Sequence, residues 1–259
     1  MSLRLALIGA ILLTQFGCSG NPGCEGPGDS AGCTRVLFIG NSYTFVNDLP
    51  AMFTSLATSG GWHVEAAMQA EGGSTLANHA ASAATAQALA SARWRFVVLQ
   101  EQSEIPSVEE FRQAEMYPAA RQLVRMVRSA GSRPMFFLTW AHRDGWPLHA
   151  LPGYAAMQAA VDNGYLAIAA EQHAAVAPVG YAWWTLLGES ADPGLWQADG
   201  SHPTTKGTYL AACVFYAAIF RQSPRGLGFH ADLSDDDAAR FQGIAADVVL
   251  GDLSRWGLR

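Results

Sequence analysis

Three short apolar runs constrain this chain more than any other feature. Residues 36–39 (V-L-F-I), 96–99 (F-V-V-L) and 134–140 (P-M-F-F-L-T-W) are too short for helices and rich in β-branched and aromatic residues. Runs of this kind read as strands buried on both faces. Residues 63–69 alternate weakly and read as another strand, and A-V-A-P-V at 175–179 reads as a short one. Helical segments fall between them. Residues 50–60 begin with a proline at a tolerated first position. Residues 76–92 are alanine-rich. Residues 108–128 form a long amphipathic stretch closed by Gly131, and 154–173 and 205–221 follow. A last helix over 235–253 has Ser234 as its N-cap and acidic residues in its first turn, where the helix dipole favours them. Alternating strands and helices predict an α/β fold, a parallel sheet with helices on both faces, because right-handed crossovers place them there. In open sheets of this kind ligands sit beyond the carboxyl ends of the strands, so the loops that follow strands are where chemistry is expected.

The N-terminus reads as an address. Arg4 is the only cation before an apolar run of nine residues, Leu5 to Leu13. Spanning a bilayer takes about 20 such residues, so the run fits the apolar part of an export signal. Gly17-Cys18 then resembles a bacterial lipoprotein signal, except that Gln15 stands where a leucine-like residue is usual. Both lipidation at Cys18 and plain cleavage stay open. Either way the chain is expected to be exported: periplasmic, held in the cell envelope as a lipoprotein, or secreted. Residues 1–18 are assigned to the signal, 19–34, rich in Gly, Pro and Ser, to a flexible linker, and 35–259 to one domain. Cys24 and Cys33 bracket part of the linker and would close a small disulfide loop in an oxidising compartment. Cys213 falls in an apolar helix as a buried thiol. No cysteine–histidine cluster has zinc spacing, so no metal site is expected. Half of the 259 residues are apolar, 15% are charged and the formal net charge is −6, with Lys206 the only lysine. That suits a large core and speaks against a nucleic-acid partner, which calls for clustered cations.

Four loops carry reactive residue types. The first strand runs into G-N-S-Y-T at 40–44, and Gly40 allows a tight turn that exposes Ser42; a helix-capping serine is the plainer reading. The second leads to E-G-G-S-T at 71–75, where Gly73 would present its N–H to a ligand or merely make a turn. The third enters Q-E-Q-S at 100–103, whose amides can donate to developing negative charge; Glu101 and Glu104 are polar contacts without an assigned role. Near the C-terminus, A-D-G-S-H-P at 198–203 places Asp199 and His202 three apart, a spacing that lets a carboxylate orient an imidazole that takes a serine proton. T-W-A-H-R-D-G at 139–145 follows the fourth strand, so Trp140, His142, Arg143 and Asp144 either line a substrate pocket or form a packed loop with an Arg143–Asp144 surface pair. Trp183, Trp184 and Trp196 either stack on sugar or belong to the core.

Taken together, and in this order, G-N-S-Y-T, E-G-G-S-T, L-Q-E-Q-S and D-G-S-H-P resemble the SGNH (GDSL-like) hydrolases over roughly residues 35–222. The resemblance implies a three-layer α/β/α fold with a five-stranded parallel sheet. It implies Ser42 as nucleophile, although the usual G-D-S is G-N-S here, with His202 as base and Asp199 as its partner. The oxyanion donors would be the N–H groups of Ser42 and Gly73, Gly72 being an alternative, and the side chain of Gln102, which stands where the family has an asparagine. It implies hydrolysis of acyl esters, including removal of acetyl groups from carbohydrate, with no cofactor and no metal. The partner is then a small-molecule or glycan ester, with a membrane engaged only through a lipid at Cys18. The altered first and third motifs keep a second reading in view, a non-catalytic carbohydrate-binding protein on the same fold. A flavodoxin-like phosphate-binding domain is a third, and it leaves D-G-S-H-P without a role.

Overall fold

The computed structural model describes residue 24 and residues 32–189 and 193–258. The expected leader and Cys18 lie outside the described residues. The elements run, in order, β1 (Cys33–Gly40), α1 (Ser42–Phe45), α2 (Leu49–Ser59), β2 (His63–Ala70), α3 (Leu76–Ala81), α4 (Ala83–Ala90), β3 (Phe96–Leu99), α5 (Glu109–Phe111), α6 (Tyr117–Ser129), β4 (Arg133–Phe137), β5 (Gly145–Trp146), β6 (Leu151–Pro152), α7 (Gly153–Glu171), β7 (Ala175–Ala177), α8 (Val179–Glu189), α9 (Thr205–Phe220) and α10 (Asp235–Leu250).

Five parallel strands form one sheet in the order β2-β1-β3-β4-β7. Helices cover both faces: α2, α9 and α10 with α8 on one, and α3, α4, α6 and α7 on the other. This is the expected three-layer α/β/α sandwich with a five-stranded parallel sheet. The central strands β1 and β3 are buried almost throughout, which accounts for their continuous apolar runs. β2 is an edge strand with alternating exposure, which accounts for its weak periodicity. α9 is buried over every residue from Gly207 to Ile219, so it has no polar face to display. Its Phe215 ring meets Phe38 of β1 and Phe137 of β4 edge-on at 5.1 and 5.0 Å, joining helix to sheet in the geometry that aromatic quadrupoles favour.

Several boundaries differ from expectation for local reasons. The helix expected over 76–92 is two helices, because Ser82 ends α3 in an extended conformation and caps α4 by accepting from the Thr85 N–H. The one expected over 108–128 passes through a π-helical turn at Arg112–Met116 before α6. Pro118 has no N–H for the carbonyl four residues back and its ring crowds that carbonyl, so the turn widens there. Beyond Phe137, β4 leaves the ladder, and the buried Gln158 satisfies the freed backbone by accepting from Ala141 N–H (2.7 Å) and donating to Thr139 O (3.1 Å). α8 was not expected from the sequence. β1 begins at Cys33, inside the expected linker. Cys24 and Cys33 form a disulfide with their Cα atoms 5.7 Å apart. The Arg35 guanidinium donates to the Cys24 carbonyl (3.0 Å), so the chain at Cys24 is held against the start of the sheet.

Candidate active site

Strand order reverses direction between β1 and β3, and the loops that leave these two strands meet at this switch point, where ligands bind in sheets of this type. Ser42 opens α1 directly after β1. Its Oγ lies 2.9 Å from His202 Nε2, and His202 Nδ1 lies 2.7 Å from Asp199 Oδ2. The second contact makes Nδ1 the protonated nitrogen, since a carboxylate only accepts, and leaves Nε2 free to accept from the serine hydroxyl. Asp199 has a second task. Its Oδ1 accepts from the N–H groups of Ser201 and His202, and Gly200, between Asp199 and Ser201, sits at φ +70°, a left-handed turn that glycine adopts without strain. Burial works against the Asp199 charge, but hydrogen bonds from the Ser201 N–H and from His202 hold its carboxyl below the ordinary value.

A buried amide network fixes the turn that carries Ser42. Asn41 Oδ1 accepts from Tyr43 N–H and caps α1, while its Nδ2 donates to Ser74 O in the loop after β2. Gln100, fully buried at the end of β3, accepts at Oε1 from Asn41 N–H and from the Thr44 hydroxyl, both at 2.9 Å, and donates through Nε2 to Asn41 Oδ1 at 2.8 Å. Gly40 belongs to this arrangement for a reason other than the expected tight turn. Its φ is not left-handed, and a Cβ there would strike Gln100 Oε1 and come within 2.6 Å of Thr44 Oγ1. Close packing, not backbone freedom, demands glycine. Behind it His79, itself buried, donates from Nε2 to Gly40 O at 2.7 Å, which leaves its Nδ1 to accept from the Thr85 hydroxyl.

Glu101 links two of the loops. Its Oε1 accepts from Leu76 N–H (3.0 Å) and Gln102 N–H (2.7 Å), and its Oε2 is buried with no partner among the described residues. Burial pushes this carboxyl up to about 7. The folded chain therefore keeps a proton that the unfolded chain releases near 4.5. That stabilisation is complete below about 4.5 and is lost as the pH rises through about 7, by roughly 3 kcal/mol in total. In urea unfolding, wild type should therefore lose stability relative to Glu101→Gln between about pH 4.5 and pH 7. A pH-independent difference between the two would show that Glu101 is ionised throughout.

A cleft of about 660 Å3 opens over these groups, lined among others by Ser42, Gly72, Gly73, Gln102, His142 and His202. The N–H groups of Ser42 and Gly73 make no hydrogen bond to a described residue. Gln102 Oε1 accepts from Glu104 and Ile105 N–H groups, which orients its amide and leaves only two long contacts (3.4 Å) from Nε2. His142 lines the cleft, and its Nε2 lies 3.1 Å from Ser103 Oγ. Burial lowers its pKa and favours the neutral ring.

Two expected pocket residues are placed elsewhere. Trp140 is fully buried, stacked between Tyr43 (4.5 Å) and Trp183 (4.2 Å), and its Nε1 donates to Ser201 O at 2.9 Å. It supports the Asp199–His202 loop from below and cannot touch a substrate. Arg143 is not among the residues that line the cleft; it lies against Gly200 and pairs with Asp144. Of the other tryptophans, Trp183 is core, Trp196 is half-buried against it, and the exposed Trp184 stacks on Tyr154 outside the cleft. Sequence reasoning missed Asn41, Gln100 and Ser201, whose hydroxyl bonds the Tyr43 hydroxyl at 2.8 Å. The first two stand inside motifs that were singled out, but nothing local tells which side chain of a loop turns inward. Among the described residues no group of three or more His, Cys, Asp or Glu side chains is placed to hold a metal ion.

Among solved structures, a protein from Slackia heliotrinireducens assigned to the SGNH hydrolases is 31% identical, matching 71% of this chain and 97% of its own, with a TM-score of 0.61. A DUF4886 family protein from Bacteroides uniformis is 17% identical over 84% and 95% of the two chains, with a TM-score of 0.68. A Geobacillus acetyl-xylooligosaccharide esterase is 15% identical over 78% and 97%, with a TM-score of 0.52. No protein-family model and no curated protein sequence matches the chain. The α/β/α sandwich and the likeness to the Slackia protein place this chain in one class: it belongs to the SGNH hydrolases.

Proposed function

We propose that this chain is a serine esterase in which Ser42 Oγ attacks an acyl ester carbonyl. The observation that carries the reading is the continuous Ser42–His202–Asp199 relay, 2.9 and 2.7 Å, opening onto a cleft that also holds Gly73 and Gln102. His202 Nε2 takes the serine proton and returns it to the leaving alcohol, while Asp199 holds the ring and stabilises its cationic form. The N–H groups of Ser42 and Gly73, with the Gln102 amide, receive the oxyanion. Water, deprotonated by His202, then releases the acid and restores Ser42.

The cleft supports a neutral, hydroxyl-bearing alcohol. Phe45 and Val46 give it an apolar wall, Ser103, Glu104, His142 and Gln197 a polar one, and among the described residues no Arg or Lys lines it. Sugar rings have apolar faces and polar edges and suit such a lining. The likeness to the acetyl-xylooligosaccharide esterase is consistent with acetylated carbohydrate as the substrate class.

The test is covalent trapping. A fluorophosphonate should add its mass to the peptide containing Ser42 and abolish p-nitrophenyl acetate hydrolysis. Labelling at another serine, or full activity after labelling, would overturn the assignment. Gln102→Leu should lower kcat by about 10²-fold with little change in KM, because a donor to the oxyanion acts in the transition state. An unchanged kcat would leave the oxyanion to the backbone N–H groups alone.

A further inference from the structure

The edge of the sheet opposite the cleft carries an unusual charge. Arg93, Arg95, Arg128, Arg133, His173 and Arg221 surround two adjoining hollows of about 300 and 730 Å3, which Arg95 and Arg133 share, and among the described residues no carboxylate lines either. The chain as a whole is at −6. Arg128 is engaged: it sits in the last turn of α6 and donates to the carbonyls of Gln172 and His173 that end α7, where the helix dipole favours a cation. Arg93, Arg95, Arg133 and Arg221 differ. They are exposed and their side chains make no hydrogen bond or ion pair to a described residue. Arg221 caps α9 at φ +54° and His173 follows α7 at φ +44°, left-handed positions that helix ends usually give to glycine, as the chain itself does with Gly131 after α6. Keeping side chains there costs conformational energy, and both residues line the same hollow.

The sheet is parallel, so every strand starts on this edge, β1 included. The chain therefore enters the domain beside the arginines. Arg95 N–H donates to Arg35 O and Arg133 N–H to Arg95 O, which sets the three residues in a row across the strands. Cys24 is held at that end by its disulfide and by Arg35. Only five residues lie between Cys18 and Cys24, and the six Cα–Cα steps reach at most about 20 Å. The opposite edge carries Glu71, Glu104, Asp144 and Asp199.

We propose that the arginine-lined N-terminal edge of the sheet is a docking surface for anionic phospholipid headgroups. It turns the domain so that its tether faces the bilayer and the catalytic cleft faces away. The arginines present donor forks that match phosphate oxygens bidentately. The acidic cleft edge is repelled by the same surface, so attraction and repulsion select one orientation. A lipid at Cys18 would add to this binding but is not needed for it. Nor does the proposal depend on the esterase reading.

The experiment is flotation of the purified full chain with vesicles of phosphatidylcholine alone and of phosphatidylcholine mixed with phosphatidylglycerol. An apolar leader partitions into both, so the difference between them is the readout. Wild type should bind the phosphatidylglycerol vesicles more tightly, and added salt should reduce the difference. Arg95→Gln/Arg133→Gln/Arg221→Gln should lower that binding by roughly 100-fold, at about fivefold per arginine, with unchanged thermal unfolding and unchanged hydrolysis of a soluble ester. Equal binding to the two vesicle types, or a triple variant that binds as wild type does, would overturn the proposal. So would displacement by millimolar inorganic phosphate at constant ionic strength, which would mark a pocket for a free anion instead.

Discussion

Ser42→Ala is expected to lower kcat/KM for p-nitrophenyl acetate by about 10⁴-fold or more while leaving the unfolding temperature unchanged. The hydroxyl is half-exposed and bonds only His202, so its removal leaves no buried group unpaired. His202→Ala should do similar damage, and the double variant should be no worse than either single one, because nucleophile and base act as a unit. Asp199→Asn should cost less, roughly 10³-fold. Its side chain is 47% exposed, so water can take up part of the Nδ1–H bond that the carboxylate now accepts. Additive losses in the double variant would mean that Ser42 and His202 do not share a step. Full activity in Ser42→Ala would remove the serine mechanism altogether.

Gly40→Ala, a single added methyl group, should destabilise the domain by about 2–4 kcal/mol and reduce kcat by about 10²-fold or more. The new Cβ collides with Gln100 Oε1 and sits 2.6 Å from Thr44 Oγ1, both of them hydrogen-bonded side chains in a fully buried site. Relief requires Gln100 to swing away, which abandons the Asn41 N–H and the Thr44 hydroxyl and releases the turn that aims Ser42. Gly188→Ala is the control. It lies in α8 with open space around it, and alanine favours helix, so stability should rise slightly. Both observables are needed, urea unfolding and turnover. If Gly40→Ala kept its rate while losing stability, the amide network would serve the fold alone. If it kept both, the packing around Gly40 would be looser than these contacts imply.

Much of this was legible without coordinates. The central strands are buried on both faces, so their apolar runs stand out. The helices between them have strong propensities and recognisable caps, so the parallel α/β/α sandwich follows from local pattern. Ser42, Gly73 and His202, which line one cleft, and Asp199, which bonds His202, stood out because each stands in a loop just after a strand or before a helix, where backbone chemistry narrows the choices. The break at Pro118 was also in principle readable, since proline inside a helical stretch interrupts the hydrogen-bond ladder.

Side-chain direction was not legible. After β3, Gln100 turns into the core and Gln102 into the cleft, although both are amides in the same four-residue loop. Trp140 looked like a pocket residue because it follows a strand, yet it became the floor beneath the Asp199–His202 loop once Tyr43 and Trp183 closed over it. The arginines of the opposite edge are scattered along the sequence and meet only because parallel strands all begin on one side. Local sequence determined the elements, their order and the reactive loops, because hydrophobic periodicity, caps and turns act over a few residues. Which side chains share a cavity depends on register between strands far apart in the chain, and only the packed tertiary structure decided that.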